Sequence, residues 1–494
     1  MKRVVKLLSV LLATVLLFTS TSIAFAKEAV TPVILVHGVG GSAIYENIGT
    51  DAQAEIKNIG FGEIKDVLLN KGILSQALKL LGSETELEPS ELIGIFADFF
   101  KDSAFNLDSD GNVPQGQGIL NYWEDSMENH KDYWENAEKS EEALVRELCE
   151  TYGAKNVYCF NYDWRVDVVE TAKGLRRFVE TVKKNTGAKK VNLVGCSMGG
   201  AVLSAYLDAY KTKKDVARYV FVNPAVGGVD VARMYALDLK ITKKGVLSYL
   251  NNMQDKNPGS TQVTIMKAVK ALGDVRVGYA AENLADFAAD KKNVINLLNQ
   301  AVKPWLGNVV ALWECVPYDC FDDAVKKMTK IGYLDKNSGV YKKIVRYHKV
   351  QGKFAHNVKW AKRHGAQVAI IANYGEPGIP VTSKASNHID GLIDTKYASA
   401  GATVAKFGKT LKRKGKYVSA DKVIDASTCA LPNNTWFIRN IQHMQFRAGT
   451  QATQFIAQLA CGKTKLNVKA VKKAYGLGQF IHGDDNQALS NVTA

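Results

Sequence analysis

The stretch Val191-Asn192-Leu193-Val194-Gly195-Cys196-Ser197-Met198-Gly199-Gly200 decides how this chain is read. Four apolar-rich residues run into a Gly-x-Ser-x-Gly turn, and a helix-forming segment from Gly200 to Tyr210 follows. The pattern predicts a strand, a sharp turn and a helix. A serine on such a turn projects its hydroxyl beyond the sheet, and glycines two residues before and two after it let strand and helix approach closely enough for the turn to form.

That unit is the nucleophile elbow of an α/β-hydrolase. The expected fold class is therefore α/β, with a mostly parallel doubly wound sheet and large cap or lid insertions. In this fold the acid and then the histidine follow the serine along the chain. The eight histidines are His37, His130, His348, His356, His364, His388, His443 and His482. Downstream of the sheet-like run 366–375, the first acidic cluster is His388-Ile389-Asp390-Gly391-Leu392-Ile393-Asp394. An acid placed there leaves His443 or His482 as base. His443 is preferred, because its loop precedes an amphipathic segment whereas His482 lies in a polar tail. A serine hydroxyl needs such a base to take its proton, and the carboxylate fixes the imidazole tautomer. The oxyanion formed on attack needs two backbone donors, expected to be the amides of Met198 and of Val39, the latter in the glycine-rich loop Val36-His37-Gly38-Val39-Gly40-Gly41. That loop lacks a Gly-Lys-Ser/Thr ending, which argues against a phosphate loop.

His37-Gly38, Asn161-Tyr162-Asp163-Trp164-Arg165, Gly-Cys-Ser-Met-Gly, Asp390-Gly391-Leu392-Ile393 and Ile441-Gln442-His443 together resemble the lecithin:cholesterol acyltransferase and lysosomal phospholipase family of α/β-hydrolases. The specific part is Tyr-Asp-Trp-Arg followed by Gly-x-Ser-Met-Gly. The resemblance spans roughly 31–42, 155–225 and 366–446, and implies acyl-ester hydrolysis or acyl transfer on lipids, with Ser197 as nucleophile, Asp390 as acid and His443 as base. The acid element departs from the family's Gly-Asp-x-Thr-Val, so Asp394-Thr395 is a rival alignment. Asp390 keeps the Asp-Gly-apolar-apolar pattern of secreted bacterial lipases. Esterase action on non-lipid esters, or a catalytically inactive fold that binds surfaces, are the alternative functions.

The N-terminus opens Met1-Lys2-Arg3, continues through an apolar run from Leu7 to Phe18 and reaches Ala24-Phe25-Ala26. This reads as a signal peptide, residues 1–26, that sends the mature protein, 27–494, out of the cell. Losing Lys2, Arg3 and Lys6 takes the formal charge from +15 to +12. A basic exported protein suits anionic membranes or cell-wall polymers. The run Lys409 to Lys416 lacks interleaved aromatics, so nucleic acid is not an expected partner. All seven cysteines follow residue 26. Cys196 is expected to be a free buried thiol, and the other six allow up to three disulfides, with Cys149/Cys159 and Cys315/Cys320 as local pairings. No cysteine and histidine spacing suggests zinc, and no cofactor is expected.

The hydrolase pattern is interrupted at about 43–138 and 228–364, which read as a cap or lid over the serine. The first contains amphipathic stretches at 91–100 and 119–124, whose aromatics are expected to pack in the core in preference to facing lipid. It also contains Asn106-Leu107-Asp108-Ser109-Asp110-Gly111, half of a calcium loop. Gln117 stands where the loop needs a bidentate glutamate, so a plain Asp-Gly turn is expected.

Overall fold

The computed structural model describes residues 30–56, 76, 79–84, 88–100, 105–252, 273–382 and 387–493. The expected signal peptide lies outside the described residues.

Eight strands form the central sheet: β1 (Val33–Val36), β2 (Val157–Phe160), β3 (Val191–Cys196), β4 (Val216–Val222), β5 (Gln367–Tyr374), β6 (Thr435–Arg439), β7 (Phe480–Gly483) and β8 (Leu489–Asn491). Their order is β8-β7-β6-β5-β4-β3-β1-β2, parallel throughout except for the antiparallel edge pair β7 and β8. The central strands are short apolar runs because both faces are covered. Alternate residues of β1 divide between the two sides: Ile34 and Val36 join one core cluster, Val33 and Leu35 the other. Helices α1 (Ser140–Tyr152) and α7 (Gln451–Cys461) cover the second face. The first carries α2 (Val168–Thr186), α3 (Met198–Tyr210), α5 (Gly339–Gln351) and α6 (Phe354–Arg363).

Local chemistry sets the ends of these helices. The carboxylate of Asp167 accepts from the Val169 amide at 2.7 Å to start α2, and Gly187, at φ 68°, ends it in the left-handed conformation. Helix α3 starts where β3 stops because the turn between them is packed without space for side chains. A Cβ on Gly195 would lie 2.8 Å from the Gly199 carbonyl oxygen, and one on Gly199 only 2.0 Å from that of Val36.

The second interruption is narrower than the expected 228–364. Tyr347 and Val350 of α5, with Phe354, Val358 and Ala361 of α6, belong to the core cluster on the sheet. They are crossover helices between β4 and β5, which a parallel sheet requires. The helices before them, including α4 (Val310–Glu314), build a separate apolar cluster around Trp313. In the first interruption, the aromatics expected inside the core do not lie in it: Phe96 and Tyr122 are 39% and 66% exposed and Trp123 is half-buried, while the side chains of Phe99 and Phe100 lie outside the described residues. The apolar face of these stretches is buried through the aliphatic Leu92, Ile93 and Ile119, with Leu120 44% exposed.

All seven cysteines are free thiols. Cys149 on α1 and Cys159 on β2 both lie buried in one cluster without a bond, and the Cys320 thiol donates to the Pro317 carbonyl at 3.4 Å. The half calcium loop is closed internally. Asp108 Oδ1 accepts from the amides of Asp110 (2.9 Å) and Asn112 (2.8 Å), and the Lys343 ammonium donates to the Gly111 carbonyl (2.7 Å) and Asn112 Oδ1 (2.8 Å). A lysine thus supplies positive charge to this turn. Among the described residues no cluster of metal-ligating side chains is found, and no helix is long and apolar enough to cross a membrane.

Candidate active site

Ser197 caps α3 with φ 52° and ψ −119°, a conformation that costs a non-glycine residue about 1–3 kcal/mol. The surrounding backbone holds it there. Its amide donates to the Val222 carbonyl at 3.0 Å, and its carbonyl accepts from Gly200 (3.0 Å) and Ala225 (2.9 Å). The hydroxyl thereby sits at the C-terminal edge of the sheet, where open α/β sheets bind ligands.

Two loops from the far half of the chain converge on this hydroxyl. After β5, a short antiparallel pair, Glu376–Pro377 with His388–Ile389, leads into the turn at Asp390. Asp390 Oδ1 accepts from the Leu392 (2.9 Å) and Ile393 (2.7 Å) amides, and Gly391, at φ 104°, permits the reversal. After β6, the loop 440–445 is tied down by Asn373 Nδ2, which donates to the Ile441 carbonyl at 3.1 Å. The loops then join each other, as the His443 amide donates to the Asp390 carbonyl at 2.6 Å. His443 Nδ1 lies 2.7 Å from Asp390 Oδ2 and Nε2 lies 2.9 Å from Ser197 Oγ. Asp390 is fully buried and already accepts from two amides, so Nδ1 carries the proton toward it. Nε2 is then left to accept from the serine hydroxyl. This arrangement can move a proton from serine to imidazole as a nucleophile attacks.

The rival acid occupies another place. Asp394 Oδ1 accepts from the Lys396 amide at 2.8 Å and caps the short helix Thr395–Ala398, while Oδ2 accepts from Asn387 at 3.2 Å. Burial pushes its carboxyl up to about 6. His482, the rival base, sits in β7 opposite Arg439.

The loop after β1 closes over the serine. Gly41 N donates to the Gly38 carbonyl at 3.4 Å, with Gly40 at φ 81°, as suits the third position of a type II turn. Met198 is the first residue of α3, so its amide is one of those a helix leaves without an internal acceptor. Among the described residues, the Val39 amide donates to no backbone acceptor. These are the two donors the sequence nominates for an oxyanion. His37 supports the loop as a neutral ring, its pKa lowered to about 4 by burial. Nδ1 donates to the Gly38 carbonyl at 2.7 Å and Nε2 accepts from Ser42 Oγ at 2.8 Å. Tyr162 stacks on it at 4.3 Å and donates to its carbonyl at 2.7 Å.

The Tyr162-Asp163-Trp164-Arg165 segment is therefore a brace. Arg165, fully buried, pairs with Asp163 at 2.7 Å and donates through Nη1 to Gln117 at 2.9 Å in the first interruption. Its carbonyl accepts from Ala311 of α4 at 3.2 Å in the second. Sequence reasoning missed one residue here, Glu141 on α1. Its carboxyl oxygens lie 3.0 and 3.1 Å from the Gly38 amide, a contact across 103 positions that no local pattern signals.

The model of the family described as alpha/beta hydrolase fold matches residues 117–277, a range that contains the Tyr162–Arg165 brace and Ser197. The chain has the α/β-hydrolase fold. A comparison with curated protein sequences finds no match. Among solved structures, a chain from the crystal structure of the Tle4-Tli4 complex is 11% identical, with 88% of this chain and 97% of that chain covered at a TM-score of 0.35.

Proposed function

We propose that this α/β-hydrolase cleaves or transfers lipid acyl esters through an acyl-serine intermediate. Ser197 acts as nucleophile, His443 as general base and then general acid, and Asp390 as the carboxylate that orients the imidazole. The observation that carries this reading is the unbroken hydrogen-bond chain from Asp390 Oδ2 through His443 to Ser197 Oγ, with spacings of 2.7 and 2.9 Å. Attack of Ser197 Oγ on the ester carbonyl transfers its proton to His443 Nε2. The oxyanion accepts from the Val39 and Met198 amides, and collapse expels the alcohol with the proton from Nε2. Water or a second alcohol, activated by the same nitrogen, releases the acyl group.

The lipid part of the proposal rests on the likeness of Tyr162–Arg165 and Gly195–Gly199 to lipid acyl hydrolases, and on an apolar rim. Leu120 and Tyr122 are exposed on a segment whose Asn121 carbonyl accepts from Asn161 Nδ2 at 2.8 Å, immediately beyond the C-terminal end of β2. The basic balance of the chain favours an anionic lipid or cell-wall surface, and the N-terminal segment ending Ala24-Phe25-Ala26 supports an exported site of action.

The test combines labelling and turnover. A fluorophosphonate should label the wild type and not Ser197→Ala, and long-chain esters and phospholipids in vesicles should be turned over by the wild type alone. Activity on short soluble esters with none on aggregated lipid would reduce the reading to a non-lipid esterase. Wild-type protein that never labels would leave a surface-binding protein with an inactive hydrolase fold.

A further inference from the structure

We propose that Glu141 is a positioning residue for acyl transfer, its carboxyl group holding the Gly38 amide so that the next amide, that of Val39, stays where the oxyanion forms. The inference rests on the reading of Ser197 as nucleophile.

Three observations carry it. Both carboxyl oxygens lie within hydrogen-bond distance of Gly38 N, at 3.0 and 3.1 Å. Gly38 is clamped between that carboxyl and the serine, since a Cβ there would lie 3.0 Å from Glu141 Oε1, 2.8 Å from Ser197 Cβ and 3.3 Å from Ser197 Oγ. The start of α1 is also fastened to residues 446–448, which directly follow the histidine loop. The Ser140 amide donates to the Phe446 carbonyl at 2.8 Å, the Ala448 amide donates to that of Glu138 at 3.0 Å, and the backbones of Lys139 and Arg447 pair antiparallel. Ser140 holds φ at 67° in doing so, a strained value for serine at the junction that aims Glu141 at the loop. One short segment, 138–141, thus connects the residues that follow the His443 loop, 446–448, to the loop over the serine.

The surroundings of the carboxyl favour its neutral form. It is buried, and among the described residues no cation pairs with it. The titratable groups within electrostatic reach of it are Glu142 beside it on α1, Tyr133, Tyr162, Cys159 on β2 and Cys196 on β3, each neutral or acidic. Burial, then Glu142, push the Glu141 carboxyl well above the ordinary carboxylate range, against the smaller opposing effect of the Gly38 bond. A neutral carboxyl still offers its carbonyl oxygen to Gly38. An ionised one would bring an unpaired negative charge to within one peptide of the developing oxyanion and oppose it.

The experiment compares Glu141→Gln and Glu141→Ala on a soluble short-chain ester, with kcat, KM and pH profiles measured. Glutamine keeps a neutral acceptor of the same shape. Glu141→Ala should lose about 10²-fold in kcat, the scale of one oxyanion donor, with KM within about threefold. Glu141→Gln should retain at least about a third of wild-type kcat. It should also lose the fall in rate with rising pH that ionisation of the Glu141 carboxyl imposes on the wild type. Circular dichroism and unfolding midpoints keep folding apart from rate. Wild-type kcat in Glu141→Ala, or a Glu141→Gln enzyme as slow as the alanine variant, overturns the inference while the nucleophile stands. A wild type that neither labels nor turns over esters overturns the catalytic reading and this inference with it.

Discussion

Asp390→Asn probes the site at its most constrained group. Asp390 Oδ1 accepts from the Leu392 and Ile393 amides at 2.9 and 2.7 Å, and those amides have to be met by an acceptor. In the asparagine variant the amide oxygen therefore stays at that position, and the NH2 group is turned toward His443 Nδ1, 2.7 Å from the present Oδ2. An N–H facing Nδ1 makes that nitrogen the acceptor and moves the ring proton to Nε2. Nε2 then donates toward Ser197 Oγ and is lost as a base. The turn keeps its hydrogen bonds and its shape, so the protein should fold with an unfolding midpoint close to wild type. Turnover should nevertheless fall by about 10⁴, the scale expected when a buried triad carboxylate becomes an amide that enforces the wrong tautomer. That is about 5.4 kcal/mol of transition-state stabilisation. The assay is kcat on a chromogenic ester, normalised to the folded fraction measured by circular dichroism, with Asp394→Asn as the control. Asp390→Asn retaining more than about a tenth of wild-type kcat, or Asp394→Asn suffering the larger loss, would refute the reasoning and hand the acid role to Asp394.

Three further outcomes are expected. The Asp394 carboxyl, raised from 3.8 to about 6, favours the folded state only while protonated, so its contribution is full below pH 3.8 and is lost as pH rises through 6. Asp394→Asn, which keeps the cap, should match wild type at pH 3.5 and exceed it in stability at pH 8 by up to ~3 kcal/mol, read from urea midpoints; equal midpoints at both pH values would count against this. Gly199→Ala puts a methyl group 2.0 Å from the Val36 carbonyl oxygen and 2.7 Å from that of His37, backbone atoms that yield only if β1 and α3 separate. A loss of ~3 kcal/mol or more in chemical denaturation is expected, and one below ~1 kcal/mol would show that the elbow is looser than its contacts. Binding to anionic vesicles should exceed binding to neutral ones and should weaken as sodium chloride rises toward ~1 M, where the screening length is ~3 Å; cosedimentation that ignores salt would remove the electrostatic part of the lipid proposal.

The sequence by itself determined what is local. Gly-Cys-Ser-Met-Gly between an apolar run and a helix former specifies strand, strained turn and helix, because the bulk that Gly195 and Gly199 lack is what lets β3, α3 and β1 meet. The short apolar runs of the strands disclose a sheet covered on both faces, and the order of serine, acid and histidine narrows the remaining candidates to a few positions. Pattern preferred Asp390 to Asp394 without excluding the latter, as each begins a turn of similar local chemistry. Tertiary structure separates them, placing one carboxylate 2.7 Å from His443 and the other on a helix cap. The same holds wherever the decisive neighbour is distant in the chain. Lys343 reaches the half calcium loop across 232 positions, Arg165 reaches Gln117 across 48, and Glu141 reaches Gly38 across 103. Even the crossover helices α5 and α6 read as cap because their amphipathic pattern states that one face is buried, without saying against what. Periodicity and turn chemistry are written in neighbouring residues. The partner of a buried charge or apolar face is chosen by how the layers close, and that only the folded chain decides.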